Sequence, residues 1–83
     1  MELDTAFDEA LENVQMLPGQ PTHVQLKLYG LFKQSTVGDV TGARPGVTNF
    51  RGRAKYDAWA SQKGLPTDEA KMHYIEYAEE LGA

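Results

Sequence analysis

Eighty-three residues at 41% hydrophobic content can bury one small core, so the chain is read as a single domain over residues 1–83. There is no cysteine, which excludes disulfides and thiolate metal sites, and no apolar run approaches the roughly 20 residues of a membrane span. Eight Lys and Arg against twelve Asp and Glu leave a net charge of -4, which disfavours a nucleic-acid partner; with no signal-peptide pattern in the acidic N-terminal stretch, a cytoplasmic monomer is the expectation.

Leu3, Ala6, Phe7, Ala10, Leu11, Val14 and Leu17 follow the i, i+3, i+4, i+7 progression of one helical face, and Asp4, Asp8, Glu9 and Glu12 place negative charge toward the positive end of that helix. Pro18-Gly19-Gln20-Pro21 ends it. Thr22 with Gln25 three residues later is a capping-box pattern, so a second helix starts there, with Val24, Leu28, Leu31 and Phe32 as its apolar stripe. It is expected to fray near residues 34–36. Residues 36–48 hold Gly38, Gly42, Pro45 and Gly46 without a sustained period and read as a loop, which at that length in so small a chain is functional or well packed.

Asn49 caps a third helix expected to run to about Gln62, with Phe50, Ala54, Ala58, Tyr56 and Trp59 giving apolar surface. Gly52 inside it costs about 1 kcal/mol relative to alanine, so something is expected to approach the backbone there. Gly64 stops this helix. Leu65-Pro66-Thr67-Asp68-Glu69 opens a fourth, with Ala70, Tyr74, Tyr77, Ala78 and Leu81 on one face, widened by Met72 and Ile75. Four helices, two short turns and one long loop make an all-α bundle.

Two four-residue spacings stand out. Tyr29 and Lys33 share one face of the second helix, and Arg51 and Lys55 share one face of the third. From Lys27 through Lys55 there are six basic residues against one acid, Asp39, a local charge of +5 in a chain whose remainder carries -9. That pattern points to a compact anionic ligand held between two helical walls, because a long phosphate backbone would be repelled elsewhere. Taken alone, the two pairs also fit ordinary solvated helix faces, and the spacing of Tyr74 also fits plain core packing.

Catalytic chemistry is not assembled here. His23 and His73 lie fifty residues apart outside any metal-spaced cluster, neither serine sits in a nucleophile elbow, and Glu79-Glu80 reads as a solvated helix end. No catalytic residue, metal site or cofactor is expected.

Residues 28–39 (LYGLFKQSTVGD), Arg44-Pro45-Gly46 and residues 50–59 (FRGRAKYDAW) strongly resemble the acyl-CoA-binding protein family, and the likeness extends from Phe7 to Leu81 in order and at family spacing. The resemblance implies a four-helix up-down-down-up bundle that holds medium- and long-chain fatty acyl-CoA thioesters in a surface bowl, as an intracellular carrier and pool former. It implies that Tyr29, Lys33 and Lys55 grip the adenine and ribose 3′-phosphate, that Tyr74 and Arg51 contribute to the site, and that Gly30, Leu31 and Phe32 line the same wall. Gln15 falls at a site position where many members carry lysine, Phe32 stands where many carry tyrosine, and the Pro18–Pro21 turn is one residue shorter and has no lysine, so somewhat weaker binding is expected. Partners implied are fatty acyl-CoA, acyl-CoA-using enzymes met transiently, and a transient membrane-surface contact. Two alternatives stand beside this reading: a helical protein-interaction module that has lost strong acyl-CoA affinity, and a lipid-binding domain attached to an enzyme.

Overall fold

A computed structural model describes residues 2–83. The helices are α1 (Leu3–Gln15), α2 (Thr22–Thr36), α3 (Phe50–Ala60) and α4 (Thr67–Glu80). Cross-helix contacts fix their directions. Asp4 meets Lys71 and Phe7 meets Tyr74, so α1 and α4 run the same way. Tyr29 faces Lys55, Gly30 abuts Ala58 and Lys33 faces Trp59, so α2 and α3 are parallel to each other. Gln34 at the end of α2 reaches Leu65 just before α4, while Lys27 lies over Tyr77 late in α4, which makes those two antiparallel. The result is the up-down-down-up bundle, with helices packed in the order α3, α2, α4, α1.

Phe7, Ala10, Val24, Leu28, Leu31, Tyr74 and Ala78 form the buried core, with Tyr74 edge-on to Phe7 at 5.3 Å between ring centroids. These positions come from the apolar stripes of α1, α2 and α4. No direct packing joins the α1 and α2 backbones, so the side of the bundle between them stays open above α4. On the other side of α2, Gly30 lets α3 approach to backbone distance: a Cβ there would stand 2.9 Å from the Ala58 carbonyl carbon and closer still to its oxygen.

Several local expectations are corrected. The Thr22–Gln25 capping box does not form. Pro21 occupies the N-cap position, where it has no N–H to satisfy, and Gln25 Nε2 donates instead to the Gln20 carbonyl at 2.6 Å. Helix α2 does not fray before Thr36: Gln34 and Ser35 are buried there, and the Val37 and Gly38 N–H groups close its end on the Lys33 carbonyl. Asn49 caps α3 as expected, its Oδ1 accepting from the Gly52 N–H at 3.0 Å. Among the protein's own groups, the one crowding Gly52 is that same Asn49 side chain and not another helix. Helix α3 ends at Ala60 in a hydrogen-bonded turn that closes on Gly64 at φ +91°. Phe50 and Met72 do not pack inward; Phe50 is 80% exposed.

The long loop is tied down at every stage. Trp59 Nε1 donates to the Gly38 carbonyl at 2.7 Å, Tyr56 Oη donates to the Gly42 carbonyl, and Arg44 forms a two-pronged pair with Asp57 at 2.8 and 2.7 Å. Asp39 Oδ1 accepts from Gln34 Nε2 and from the Gly64 N–H, each at 2.9 Å. The buried Gln34 amide also donates to the Leu65 carbonyl. One carboxylate and one amide thereby join α2, the loop and the turn before α4.

Candidate functional site

Two concavities adjoin along α2. The larger, about 480 Å³, opens between α2 and α3 and is lined by Thr22, Gln25, Leu26, Tyr29, Arg51, Ala54 and Lys55. Parallel packing sets this composition: each helix contributes residues spaced by three or four, so Gln25 and Tyr29 face Arg51 and Lys55 across the gap. The second, about 290 Å³, is the open space between α1 and α2. Its walls are Leu11, Val14 and Gln15 from α1 and Gln25, Leu28, Tyr29 and Phe32 from α2, and Tyr74 of α4 forms its floor.

Tyr29 and Gln25 line both. Neither lining contains an acidic residue, and the cations are confined to Arg51 and Lys55 on the α3 wall. The Lys55 ammonium lies 5.6 Å from the centroid of the Tyr29 ring, so charge sits beside the aromatic surface that divides the two spaces. Burial pushes the Tyr74 hydroxyl above the ordinary tyrosine range.

The structure brings together six of the nine site residues read from the sequence. Tyr29, Arg51 and Lys55 meet at the α2–α3 cavity, and Gln15, Phe32 and Tyr74 join Tyr29 at the α1–α2 cleft. The other three stand elsewhere. Gly30 lies in the α2–α3 contact, Leu31 is buried in the core, and Lys33 holds its ammonium 4.7 Å from the buried Trp59 ring, outside both linings. The sequence reading missed Leu26, Ala54 and Gln25, although all three lie within one helical turn of residues it did single out, Tyr29 and Lys55.

A family model described as "Acyl CoA binding protein" matches residues 4–78. The chain belongs to the acyl-CoA-binding protein family. Among curated members, "Acyl-CoA-binding protein homolog 1" of Caenorhabditis elegans is 46% identical over 77 residues, 92% of this chain and 90% of that protein. "Acyl-CoA-binding protein" of Brassica napus is 45% identical over 82 residues, 98% of this chain and 89% of that one. Among solved structures, acyl-CoA-binding protein 2 of Oryza sativa superposes with a TM-score of 0.92 at 41% identity, covering 95% of this chain and 87% of the other. The Moniliophthora perniciosa family member superposes at 0.88 and 42% identity, covering 98% and 80%. The all-α architecture and the family resemblance read from the motifs both hold.

Among the described residues, no group of three His, Cys, Asp or Glu is placed to hold a metal ion, and no helix is long and apolar enough to cross a membrane.

Proposed function

We propose that this protein binds fatty acyl-CoA thioesters of medium and long chain and acts as a carrier and pool former for them. The observation that carries this reading is the position of Tyr29, shared by two concavities of different character and faced by Lys55. An acyl-CoA is likewise bipartite: an anionic nucleotide head joined by a flexible arm to an apolar tail. The α1–α2 cleft presents three aromatic rings, the aliphatic side chains of Leu11, Val14 and Leu28, and the amides of Gln15 and Gln25. That mixture suits a nucleobase, which stacks on rings and exchanges hydrogen bonds at its edge. The α2–α3 cavity presents Leu26, Ala54 and the lysine stem of Lys55, a surface for a hydrocarbon tail.

Lys55 and Arg51, with Lys33 at the near end of α2, supply charge for the phosphates. Charge-assisted hydrogen bonds to anions are about twice as strong as neutral ones, so the head group fixes position, while each buried methylene adds about 0.8 kcal/mol. Affinity therefore rises with tail length until the cavity is filled. The linings offer no serine, histidine or acid to act as nucleophile or base, which favours binding over catalysis. In this reading the protein works as a cytoplasmic monomer that meets acyl-CoA-using enzymes transiently.

Incubating the protein with an equimolar mixture of short-, medium- and long-chain acyl-CoAs, followed by native mass spectrometry, tests the reading. One ligand per protein, enriched in the longer tails, is expected; equal occupancy across tail lengths would remove the role given to the α2–α3 cavity.

A further inference from the structure

The outer side of the α1–α4 pair carries a groove that neither ligand concavity touches. Two adjoining hollows of about 250 and 350 Å³ run along it and share Asn13 and Ala83. Their apolar surface comes from Ala6, Ala10, Met16 and Leu17 on the α1 side and from Ile75 and Ala78 on α4. Leu11, Val14 and Gln15 face the α1–α2 cleft, so at 3.6 residues per turn Ala6, Glu9 and Asn13 fall on the reverse flank of the same helix.

The groove is preformed. At one end the Met16 and Leu17 N–H groups donate to the Asn13 and Val14 carbonyls, and the Gly82 and Ala83 N–H groups donate to the Glu79 and Ala78 carbonyls, so both walls end in fixed turns. Met16 is nonetheless 85% exposed, a flexible thioether of the kind that adapts to a partner's surface.

Charge selects the occupant. Glu9 and Glu79 stand on opposite walls, and among the described residues neither hollow is lined by a lysine or arginine. Helices α1 and α4 together carry nine acids against one lysine, Lys71, whose ammonium is taken by Asp4 at 2.7 Å. An anionic ligand or lipid headgroup is repelled from this side, and a cationic segment is attracted to it.

We propose that the groove seats a basic amphipathic helix of a partner protein, its apolar stripe on Ala6, Ile75 and Met16 and its lysine or arginine flanks on Glu9 and Glu79. From Ala6 to Leu17 the groove follows α1 for about 16 Å, the length of three helical turns. Helix-in-groove recognition uses apolar anchors spaced by three, four and seven residues, which that length accommodates. So short a groove gives an interface at the low end of the specific range, suited to transient contact. The groove shares no lining residue with the two ligand concavities, so partner and acyl-CoA are held at the same time. The inference does not rest on the acyl-CoA reading.

A designed helical peptide with leucines on one face and lysines on both flanks tests this, beside a second peptide in which glutamates replace the lysines. Titrated into isotopically labelled protein, the lysine peptide should shift amide resonances of residues 6–17 and 75–83 and leave Tyr29 and Lys55 unmoved, with and without palmitoyl-CoA. Binding should weaken with salt, and the glutamate peptide should not bind. Glu9→Lys with Glu79→Lys should weaken the lysine peptide about tenfold, the scale of two exposed charge contacts, and should admit the glutamate peptide. Palmitoyl-CoA affinity of that variant should stay at the parental level. Four results would overturn the proposal: no binding of the lysine peptide, equal binding of both peptides, shifts centred on the ligand concavities, or a double variant with unchanged preference. Sedimentation that shows the protein alone pairing through these residues would also overturn it, by assigning the groove to a second copy.

Discussion

Lys55 on α3 holds its ammonium 5.6 Å from the centroid of the Tyr29 ring on α2, at the mouth of the cavity between the two helices. A partly exposed cation–ring pair is worth about 0.5–1 kcal/mol, so the fold does not depend on it. A charge-assisted hydrogen bond to a bound phosphate is worth about 1.5–3 kcal/mol. Lys55→Ala is therefore expected to weaken palmitoyl-CoA binding by about ten- to a hundredfold with little change in thermal stability. Lys33→Ala should lower both, because Lys33 also lies over Trp59 at 4.7 Å. Paired calorimetric and thermal-melt measurements separate the effects; a Lys33 variant with lower stability and unchanged affinity would assign Lys33 to packing alone.

Gly30→Ala tests the α2–α3 contact. Helix propensity favours alanine by about 1 kcal/mol. The new methyl group would meet the Ala58 carbonyl, a backbone group that moves only with its helix, and overpacking of this kind costs about 1–3 kcal/mol. Net destabilisation is expected by denaturant titration; a more stable variant would show that α3 is free to shift.

Asp39 gives the fold a signature in acid. Its carboxyl is held below the usual carboxylate range chiefly by the Gly64 N–H and next by the Gln34 amide. The carboxylate's stabilising effect is fully present above the unfolded value of 3.8 and is lost as pH falls through the lower folded value. Asp39→Asn should lower the melting temperature at neutral pH, with the gap to the parent protein closing at strongly acid pH. A gap that stays constant through the acid range would contradict this assignment.

Gln15 lines the α1–α2 cleft, where the site's cations are absent. Gln15→Lys places a cation on that wall and should tighten palmitoyl-CoA binding by up to about fivefold, the scale of one exposed charge contact of about 1 kcal/mol. Titration of the variant at low and high salt checks it: the gain should shrink as salt rises, and no gain at low salt would mean that no phosphate reaches this wall.

The helices were legible because their signals are local. The apolar stripe of α1, the Asn49 cap and Gly64 each act within a few residues, and each appears where the pattern put it. The sequence motifs did not reveal which of their residues serve folding. Gln34, Gly38, Asp39, Arg44, Asp57 and Trp59 all lie in the stretches that carry the family resemblance, yet they tie the long loop to α2, α3 and the turn before α4. Their bonds span up to 31 residues, a separation invisible to helical periodicity. Gln25 was hidden for the opposite reason: a local capping pattern explained it, while its side chain reaches both concavities.

In this reading one surface holds a charged head and an apolar tail together. Calorimetric titration with palmitoyl-CoA, octanoyl-CoA and free CoA in one buffer decides it. One site per chain is predicted, with affinity highest for palmitoyl-CoA, lower for octanoyl-CoA and lowest for free CoA. Absence of binding by all three, or equal binding of free CoA and palmitoyl-CoA, would contradict the account: the first would leave the bundle to protein partners, and the second would leave the α2–α3 cavity without a tail.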